Sequence, residues 1–177
     1  VLGVPGVIDA FVTENNTGAD TTVGTQTILA HSIYVAVQGG LDPDVAKAIW
    51  TKKPPCSNYS GSTSVTVEDD NSGYVTPPTY TVKFQRPAAL GVNFVVTIAN
   101  RPDVPGDIAT QVQAVIADTF PDLARIGQTM FASSYVCPIA ALGGYARILG
   151  VEVNGGASQA VGINQFPTLG TVTVTLA

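Results

Sequence analysis

Apolar residues alternate with polar ones in seven short segments of the chain, and this period of two predicts seven β-strands. In residues 31–38, for example, Ile33, Val35 and Val37 fall on one face of the strand. Glycine and proline separate the segments, which is typical of turns. The predicted strands cover residues 4–14, 31–38, 62–70, 79–87, 91–100, 143–155 and 168–177. Predicted buried positions on the middle strands include Tyr80, Val82, Phe84, Phe94, Val96 and Ile98.

The segment "GGLDPDVAKAIWTKKPP", residues 39–55, predicts a helix with recognisable ends. Asp42 is placed to accept hydrogen bonds from the free amides of the first turn, and Pro43 at the first helical position loses no needed donor. Lys52 and Lys53 bring positive charge to the negative end of the helix dipole. The stripe predicted to face the core consists of Val45, Ile49 and Trp50.

The apolar residues change to a helical period in residues 106–120. Asp107 is predicted to cap this helix, and Pro121 is predicted to mark its end. Residues 126–142 predict a second helix, with a kink at Pro138. The apolar stripe of the first of these helices consists of Ile108, Val112, Val115 and Ile116.

Together these elements predict an α+β fold, in which a mixed or antiparallel sheet packs with helices. The sheet would carry an inserted α/β subdomain made of one strand, one helix and three strands. We expect a discontinuous α/β domain of residues 1–26 and 101–177, containing a strand, two helices and the closing strands. The inserted subdomain would span residues 27–100.

A weak internal repeat is the basis for joining the two ends of the chain. Residues 5–18 resemble residues 143–156 when Gly6 is aligned with Gly144. The second copy follows a predicted helix, so we expect a helix to precede the first copy in a longer protein. The repeat also predicts that the first strand and the last strands share one sheet with the two later helices.

The chain contains few charged residues, and this composition bears on which partners it could bind. Charged residues make up 12% of the 177 residues, hydrophobic residues 45%, and the net charge is -5. A typical soluble domain carries about 25% charged residues. The chain has 20 threonines instead, and neutral polar groups cost less to desolvate than charges, which favours packing against neighbours. Basic residues are scattered and no apolar run could span a bilayer, so we expect neither nucleic acid nor a membrane as partner.

His31 is the single histidine of the chain, and it stands beside Ser32. A Ser-His-Asp site needs the imidazole within hydrogen-bond reach of the hydroxyl. Neighbouring residues of a strand point to opposite faces, and no G-x-S-x-G elbow presents another serine. We therefore predict no catalytic residue, no cofactor and no small-molecule substrate.

The residues that could bind a metal do not have the spacing of a known site. One histidine and two distant cysteines cannot close a zinc site by themselves. Glu68, Asp69 and Asp70 offer oxygen ligands but lack the spacing of a calcium loop, which indicates an acidic turn. We predict no metal. Cys56 and Cys137 could pair, but two free thiols in a reducing cytoplasm are the favoured interpretation.

Two stretches carry a family pattern: "HSIYVAVQGGLDPDVAKAIWTKKPPCSNYSG", residues 31–61, and "TVKFQRPAALGVNFVVTIA", residues 81–99. The pattern is a strand with H-S-I and G-G, a helix with A-x-A-I, and F-x-R-P before another strand. In it the chain resembles the middle-to-C-terminal part of phage baseplate J-like proteins, which are wedge components of contractile-tail baseplates. The segment "KKPPCSNYSG" departs from the pattern, where a glycine commonly follows the helix directly. The matching residues are His31, Ser32, Ile33, Gly39, Gly40, Ala46, Ala48, Ile49, Phe84, Arg86 and Pro87.

The resemblance implies a structural subunit of the tail baseplate of a phage, prophage or phage-derived particle. The protein would be made in the bacterial cytoplasm and located in the virion. Its partners would be other baseplate and tail subunits, in a homo-oligomer or ring, through interfaces that rearrange when sheath contraction is triggered. A tail receptor- or carbohydrate-binding module is the alternative, and a tail hydrolase is a third hypothesis.

The site residues expected on this basis have structural roles. Gly39 and Gly40 would allow the strand-to-helix turn, and Asp42 would cap the helix. Trp50 would anchor the helix to the sheet, and Arg86 would pin a loop by hydrogen bonds. The remaining members of the set are Phe84 and Pro87.

Overall fold

The computed structural model of the chain describes residues 1–71 and 73–177. These residues form two compact units, and each unit contains two separate segments of the chain. Helices and strands occur in both units, which confirms the predicted α+β fold. The first unit consists of Val1–Ala88 and Gly162–Asn164, and the second of Ala89–Val161 and Gln165–Ala177.

The first unit is built around a central strand and the helix that follows it. Its elements are β1 (Val7–Asn15), β2 (Thr21–Val23), β3 (Gln26–Ile28), β4 (Ser32–Gly39), α1 (Asp42–Lys52), β5 (Asn58–Ser60), β6 (Thr63–Glu68) and β7 (Thr79–Phe84). Three of the strands form a sheet in the order β1-β4-β5. β1 is antiparallel to β4, with a bulge between Val7 and Asp9, and β5 is parallel to β4. α1 supplies the crossover that a parallel pair requires.

Both faces of β4 are buried, which makes this strand the centre of the first core. Its odd-numbered residues pack against Val45 and Ile49 of α1. On the opposite face, Tyr34 and Ala36 are buried as well. A strand covered on both faces is apolar at consecutive positions, and β4 has this composition.

A hairpin of β6 and β7 completes the first unit. Gln85, which follows β7, forms a parallel bridge with Ala36 of β4. The ring of Trp50 on α1 lies 5.4 Å from the ring of Tyr80 on β7. The alternation predicts a buried Tyr80, but this side chain is 41% exposed. That prediction is wrong because alternation assigns a residue to a face without saying what covers the face.

The second unit has its own central strand and following helix. Its elements are β8 (Ala88–Ile98), α2 (Ile108–Leu123), β9 (Thr129–Phe131), the 3-10 helix η1 (Ala132–Tyr135), α3 (Val136–Ala140), β10 (Ile148–Val153), β11 (Ser158–Ala160) and β12 (Gln165–Leu176). The main sheet has the order β10-β8-β12, and β9 pairs with β11. β10 is antiparallel to β8, with a bulge between Ile148 and Gly150.

β12 runs parallel to β8, as the hydrogen bonds between the two strands show. These bonds join residues at a constant separation of 78 positions, which occurs when two strands advance in the same direction. The pairs are Leu90 with Thr168, Asn93 with Thr171, and Thr97 with Thr175.

One face of the β8 sheet forms the second core. Phe94 on β8 lies 6.2 Å from the ring of Phe120 on α2 and 4.7 Å from the ring of Tyr135 on η1, both in edge-on geometry. On the other face of β8, Asn93 is exposed and Thr97 is half-buried. The buried apolar residues of the strand and helix are Val92, Phe94, Val96, Ile98, Ile108, Val112, Ile116 and Phe120.

The predicted sheet that joins the first strand to the last strands is wrong. β1 pairs with β4, whereas β10 and β12 pair with β8. β8, the fourth and last strand of the predicted inserted subdomain, therefore belongs with the later strands. The compact units divide the chain near residue 88 and not at residues 26 and 100. Residues 5–18 and 143–156, which have similar sequences, contain strands with the same position in their sheets. β1 and β10 are each the antiparallel neighbour of a central strand, and each has a bulge.

The predicted helix over residues 126–142 is also wrong in its first half. Its sequence begins as β9, and α3 is a short helix that contains Pro138. β9 pairs with β11, and this long-range pairing overrides the local helical pattern. α2 continues through Pro121 and ends at Leu123, so the predicted end is wrong by two residues. Pro121 has no N–H to donate to the preceding turn, but this local defect does not end the helix at that residue. Asp107 is at the N-cap, but its carboxylate accepts a hydrogen bond from the Gln111 side chain and not from a backbone amide.

Candidate functional site

Most of the sequence-predicted site residues gather around the guanidinium of Arg86, just after β7. Nη1 donates to the carbonyl oxygens of Val37, at 2.9 Å, and of Gly39. Nη2 donates to the Gly40 carbonyl oxygen at 2.8 Å and to Asp42 Oδ1 at 2.6 Å, and Nε donates to the same oxygen at 3.0 Å. Every N–H of the guanidinium is thereby used. Arg86 therefore holds the turn from β4 into α1, residues 39–42, which we call the Arg86 loop.

Gly39 and Gly40 form the turn that Arg86 holds. Both have left-handed backbones, with φ of 78° and 71°. A Cβ at residue 39 would overlap the carbonyl oxygen of Gly6, and a Cβ at residue 40 would lie 2.6 Å from the Val7 side chain. Only glycine combines this backbone conformation with so close an approach to the start of β1.

Asp42 has a different role from the predicted cap. The N-cap position of α1 is Leu41, which makes no side-chain capping bond, and Asp42 is the first residue of the helix. Its carboxylate instead forms an ion pair with Arg86. The prediction is wrong because Asp42 lies one residue past the N-cap, where its Oδ1 accepts hydrogen bonds from Nε and Nη2 of Arg86.

The other predicted site residues surround the Arg86 loop or support the helix. The ring of Phe84 is fully buried and lies 5.1 Å from the guanidinium carbon of Arg86. Pro87 follows Arg86 directly and separates it from β8. Trp50 contacts Tyr80 and carries the ammonium of Lys47 over its ring at 5.0 Å. These contacts fix the shape of the unit and present no reactive group.

His31 and Ser32 do not act on one another. His31 lies in the turn before β4 with a left-handed φ of 49°, so the strand begins one residue later than the pattern predicts. Its side chain is exposed, whereas Ser32 is buried. The Ser32 hydroxyl donates to the Leu29 carbonyl oxygen at 2.7 Å and shares a 2.7 Å hydrogen bond with the Ser60 hydroxyl. These bonds join β5 to the start of β4.

Cysteine and acidic side chains do not assemble into a metal centre in the described part of the chain. Cys56 and Cys137 are free and exposed. Cys56 and His31 line the same shallow pocket of about 190 Å³. Among the described residues no hydrogen bond joins the thiol to the imidazole. Of the acidic turn, Asp70 forms a 2.8 Å ion pair with Lys47, and this ammonium lowers the pKa of the Asp70 carboxyl.

Two buried tyrosines contrast in their hydrogen bonding. The Tyr34 hydroxyl donates to the Ile163 carbonyl oxygen at 3.3 Å. The Tyr135 hydroxyl is buried without a hydrogen-bond partner among the described residues. Burial raises the pKa of each hydroxyl to about 12. The sequence gives no signal for either state, because partners of a buried hydroxyl come from distant segments.

An apolar groove of about 470 Å³ lies between β1 and α1, and the sequence interpretation missed it. We call it the β1 groove. Val12, Ile33 and Val35 line it from the sheet, and Ala48 and Ile49 line it from the helix. The signal available in the sequence was a strand with apolar residues on both faces and no lysine or proline to shield it.

Comparison with family models and with curated protein sequences gives no match for this chain. The resemblance to baseplate J-like proteins therefore stays a prediction. None of the described helices combines the length and the apolar character needed to cross a bilayer. The features described here are the hydrogen bonds of Arg86 and the apolar β1 groove. His31 is exposed and Ser32 is buried, so the two side chains lie in different environments.

Proposed function

We propose that this chain is a structural subunit of a contractile tail baseplate, and that it acts through protein–protein interfaces. In this proposal it belongs to a phage, prophage or phage-derived particle, is located in the virion, and assembles with other tail subunits as a homo-oligomer or ring. It uses no cofactor and turns over no substrate.

The Arg86 loop is the observation that carries the proposal. The residues behind the family resemblance, in G-G and F-x-R-P, lie far apart in sequence but meet in one set of hydrogen bonds. Their spacing thus serves a single structural element.

The surface of the second unit also supports an assembly role. Thr171, Thr173 and Thr175 of β12 are exposed, and Thr97 on the adjacent strand shares a 3.2 Å hydroxyl contact with Thr175. The β12 side of this face carries neutral hydroxyls, whereas Glu152 on β10, opposite Val95 of β8, is exposed and charged. Desolvating a neutral hydroxyl costs less free energy than desolvating a charge, so the threonine side of the face can be buried by a neighbour at low cost.

Deleting the gene in its own phage or prophage tests the proposal. We expect tail particles without complete baseplates in electron micrographs, restored when the chain is supplied in trans. Mass spectrometry of purified wild-type particles should detect the chain as a stoichiometric component. Normal, infectious particles in the deletion strain would contradict the proposal.

A second assay addresses the hydrolase hypothesis. The purified chain is incubated with peptidoglycan and with ester and peptide substrates, beside a His31→Ala variant. We expect no turnover by either protein. Turnover by the wild type that is lost on His31→Ala would replace the assembly function with an enzymatic one.

One pocket favours the alternative of a carbohydrate-binding module. Phe131, which is 54% exposed, lines a pocket of about 280 Å³ together with Asp122, Gln128 and Ser134. An exposed aromatic ring beside carboxylate and amide groups can hold a sugar by stacking and hydrogen bonds. Saturation-transfer NMR with common bacterial surface monosaccharides tests this function. Signals that disappear on Phe131→Ala would support it, and their absence would remove it.

A further inference from the structure

The outer edge of β1 is open to pairing. β1 is the first strand in the order β1-β4-β5, so one of its edges faces β4 and the other faces away from the sheet. Proteins usually shield such an edge with lysine, proline or a bulge. Here the bulge lies at the beginning of the strand, between Val7 and Asp9. Residues 10–14 continue in regular register and contain neither lysine nor proline.

The β1 groove reaches this edge. Val12, Thr13 and Glu14 all line it. Side chains of consecutive strand residues point to opposite faces, so three consecutive lining residues place the groove against the backbone of β1. Its other wall is formed by Ala48 and Ile49 of α1. An extended segment that paired with β1 would therefore have an apolar channel for every second side chain.

Two of the apolar side chains of β1 are exposed. Val12 is 62% exposed and Ile8 is 60% exposed. A strand that pairs with residues 10–14 would cover Val12 directly. The open backbone and the exposed apolar side chain thus lie at the same place, which is the arrangement used when a peptide adds a strand to a sheet.

Charge at the groove selects the chemistry of the partner. Lys52 and Lys53 line the groove together with one carboxylate, Glu14, so its charged lining has a surplus of one positive charge on a chain whose net charge is -5. The Lys53 ammonium lies over the Tyr59 ring at 4.9 Å, and Lys47 on the same helix is paired with Asp70. Lys52 is exposed and has no ion-pair partner in the described part of the chain. A carboxylate on the incoming segment would complement this ammonium.

We propose that β1 binds an extended segment of another protein by strand addition. The segment pairs with residues 10–14, inserts alternate apolar side chains into the β1 groove, and places an acidic side chain beside Lys52. The inference rests on the proposed assembly function only in assigning the segment to another tail subunit. A helix is not the expected occupant, because its own N–H and C=O groups are already paired and cannot satisfy those of a strand edge. A second copy of this chain is the competing occupant, and the sedimentation experiment below distinguishes it from a segment of another protein.

Selection from a library of short random peptides, with the purified chain as bait, tests the proposal. We expect enriched sequences in which apolar and polar residues alternate and at least one residue is acidic. A synthetic peptide of the enriched sequence should slow hydrogen exchange at backbone amides of residues 10–14. Both measurements use the isolated chain, so they remain informative if the tail function fails, and the gene deletion remains informative if peptide binding fails.

Two variants and a matched control sharpen the test. Val12→Lys shields the edge and should weaken binding of the selected peptide by about tenfold or more. Lys52→Glu should weaken it by about tenfold, and replacing the acidic residue of the peptide by lysine should restore binding to this variant. The control is Leu149→Lys, because Leu149 is also 62% exposed and lies on β10, the bulged strand of the other unit. It should change the affinity by less than about twofold.

Several results would overturn the inference. Enriched peptides without alternation, exchange protection outside β1, or equal loss of binding in Val12→Lys and Leu149→Lys would each do so. Sedimentation that shows a concentration-dependent dimer, abolished by Val12→Lys, would assign the edge to a second copy instead. Failure to enrich any peptide on a chain whose native hydrogen-exchange pattern is intact would also end the proposal.

Discussion

The two units arrange their strands in the same way, but they differ in how much of the central strand is buried. In each, a central strand has a bulged antiparallel neighbour on one side and a parallel neighbour on the other, and a helix follows the central strand. In the first unit both faces of the central strand β4 are buried. In the second, β8 is buried on the face toward α2, while Asn93 on the opposite face is exposed.

This difference teaches where each unit can meet a partner. The first unit has covered its central strand, and what it leaves open is an edge and the β1 groove. The second leaves open a sheet face with neutral threonine side chains. Two sheets with the same strand arrangement can therefore offer different interfaces. An open edge offers backbone hydrogen bonds, whereas an open face offers side-chain area.

The largest expected effect comes from the aromatic core of each unit. Phe94→Ala in the second unit and Phe84→Ala in the first both remove a fully buried ring. We expect each to lower the free energy of unfolding by about 3–5 kcal/mol, from lost transfer energy and the cavity left behind. Urea unfolding gives the magnitude, and hydrogen exchange identifies the unit that opens. A loss below about 1 kcal/mol for either variant would show that its core is not organised around that ring.

Replacing glycine by alanine should cost more stability in the first unit than in the second, even at two positions with nearly equal φ. Gly39 has φ of 78° and Gly155 has φ of 77°. A Cβ would overlap Gly6 at the first position and meet nothing within 4 Å at the second. We expect Gly39→Ala to cost about 3 kcal/mol and Gly155→Ala about 1 kcal/mol, since only the first adds overlap to backbone strain. Equal losses in thermal unfolding would contradict the close approach of β1 to the turn.

The Arg86 loop should depend on guanidinium geometry as well as on charge. Arg86→Lys keeps the positive charge but cannot reach three carbonyl oxygens and Asp42 together, so we expect a loss of about 2 kcal/mol. The matched control is Arg101→Lys, because the ion pair of Arg101 with Asp103, at 3.1 Å, is more exposed. There we expect less than about 0.5 kcal/mol. Urea unfolding measures both, and similar values would mean that Arg86 acts as a charge alone.

The smallest expected effect separates the two buried tyrosines. Tyr34→Phe loses a hydrogen bond to Ile163 and should cost about 1 kcal/mol. Tyr135→Phe removes a hydroxyl without a described partner and should be neutral or stabilising by up to about 1 kcal/mol. Thermal unfolding of the two variants measures the difference. A clear loss in Tyr135→Phe would indicate that an ordered water or a ligand satisfies this hydroxyl.

The same tyrosines predict how stability depends on pH. The pKa of each hydroxyl is raised from 10.0 to about 12 by burial. The unfolded chain ionises first, so their contribution is fully present below pH 10 and is lost as the pH rises toward about 12. Unfolding free energies measured across this range should fall, and by less in the Tyr34→Phe and Tyr135→Phe variants. A flat profile in the wild type would contradict the burial of these hydroxyls.

Local chemistry in the sequence determined the α+β class, the helix after Gly39–Gly40 and most buried positions of β4 and β8. These follow from nearest-neighbour spacing, which sets the face of each side chain. It also indicated that Arg86 holds a loop. The sequence did not predict which loop Arg86 holds, because Arg86 donates hydrogen bonds to residues more than forty positions earlier in the chain. For the same reason Asp42 was expected at a cap and is found in an ion pair.

Tertiary structure alone decided which sheet each strand joins, and with it the two units. β1 and β10 have similar sequences, yet one pairs with β4 and the other with β8. Alternation fixes the face of a residue but carries no information about the partner strand, since any apolar face can cover any other. The β1 groove arises from the same long-range choice. It exists because α1 covers β4 and leaves β1 at the edge, which no local pattern of residues specifies.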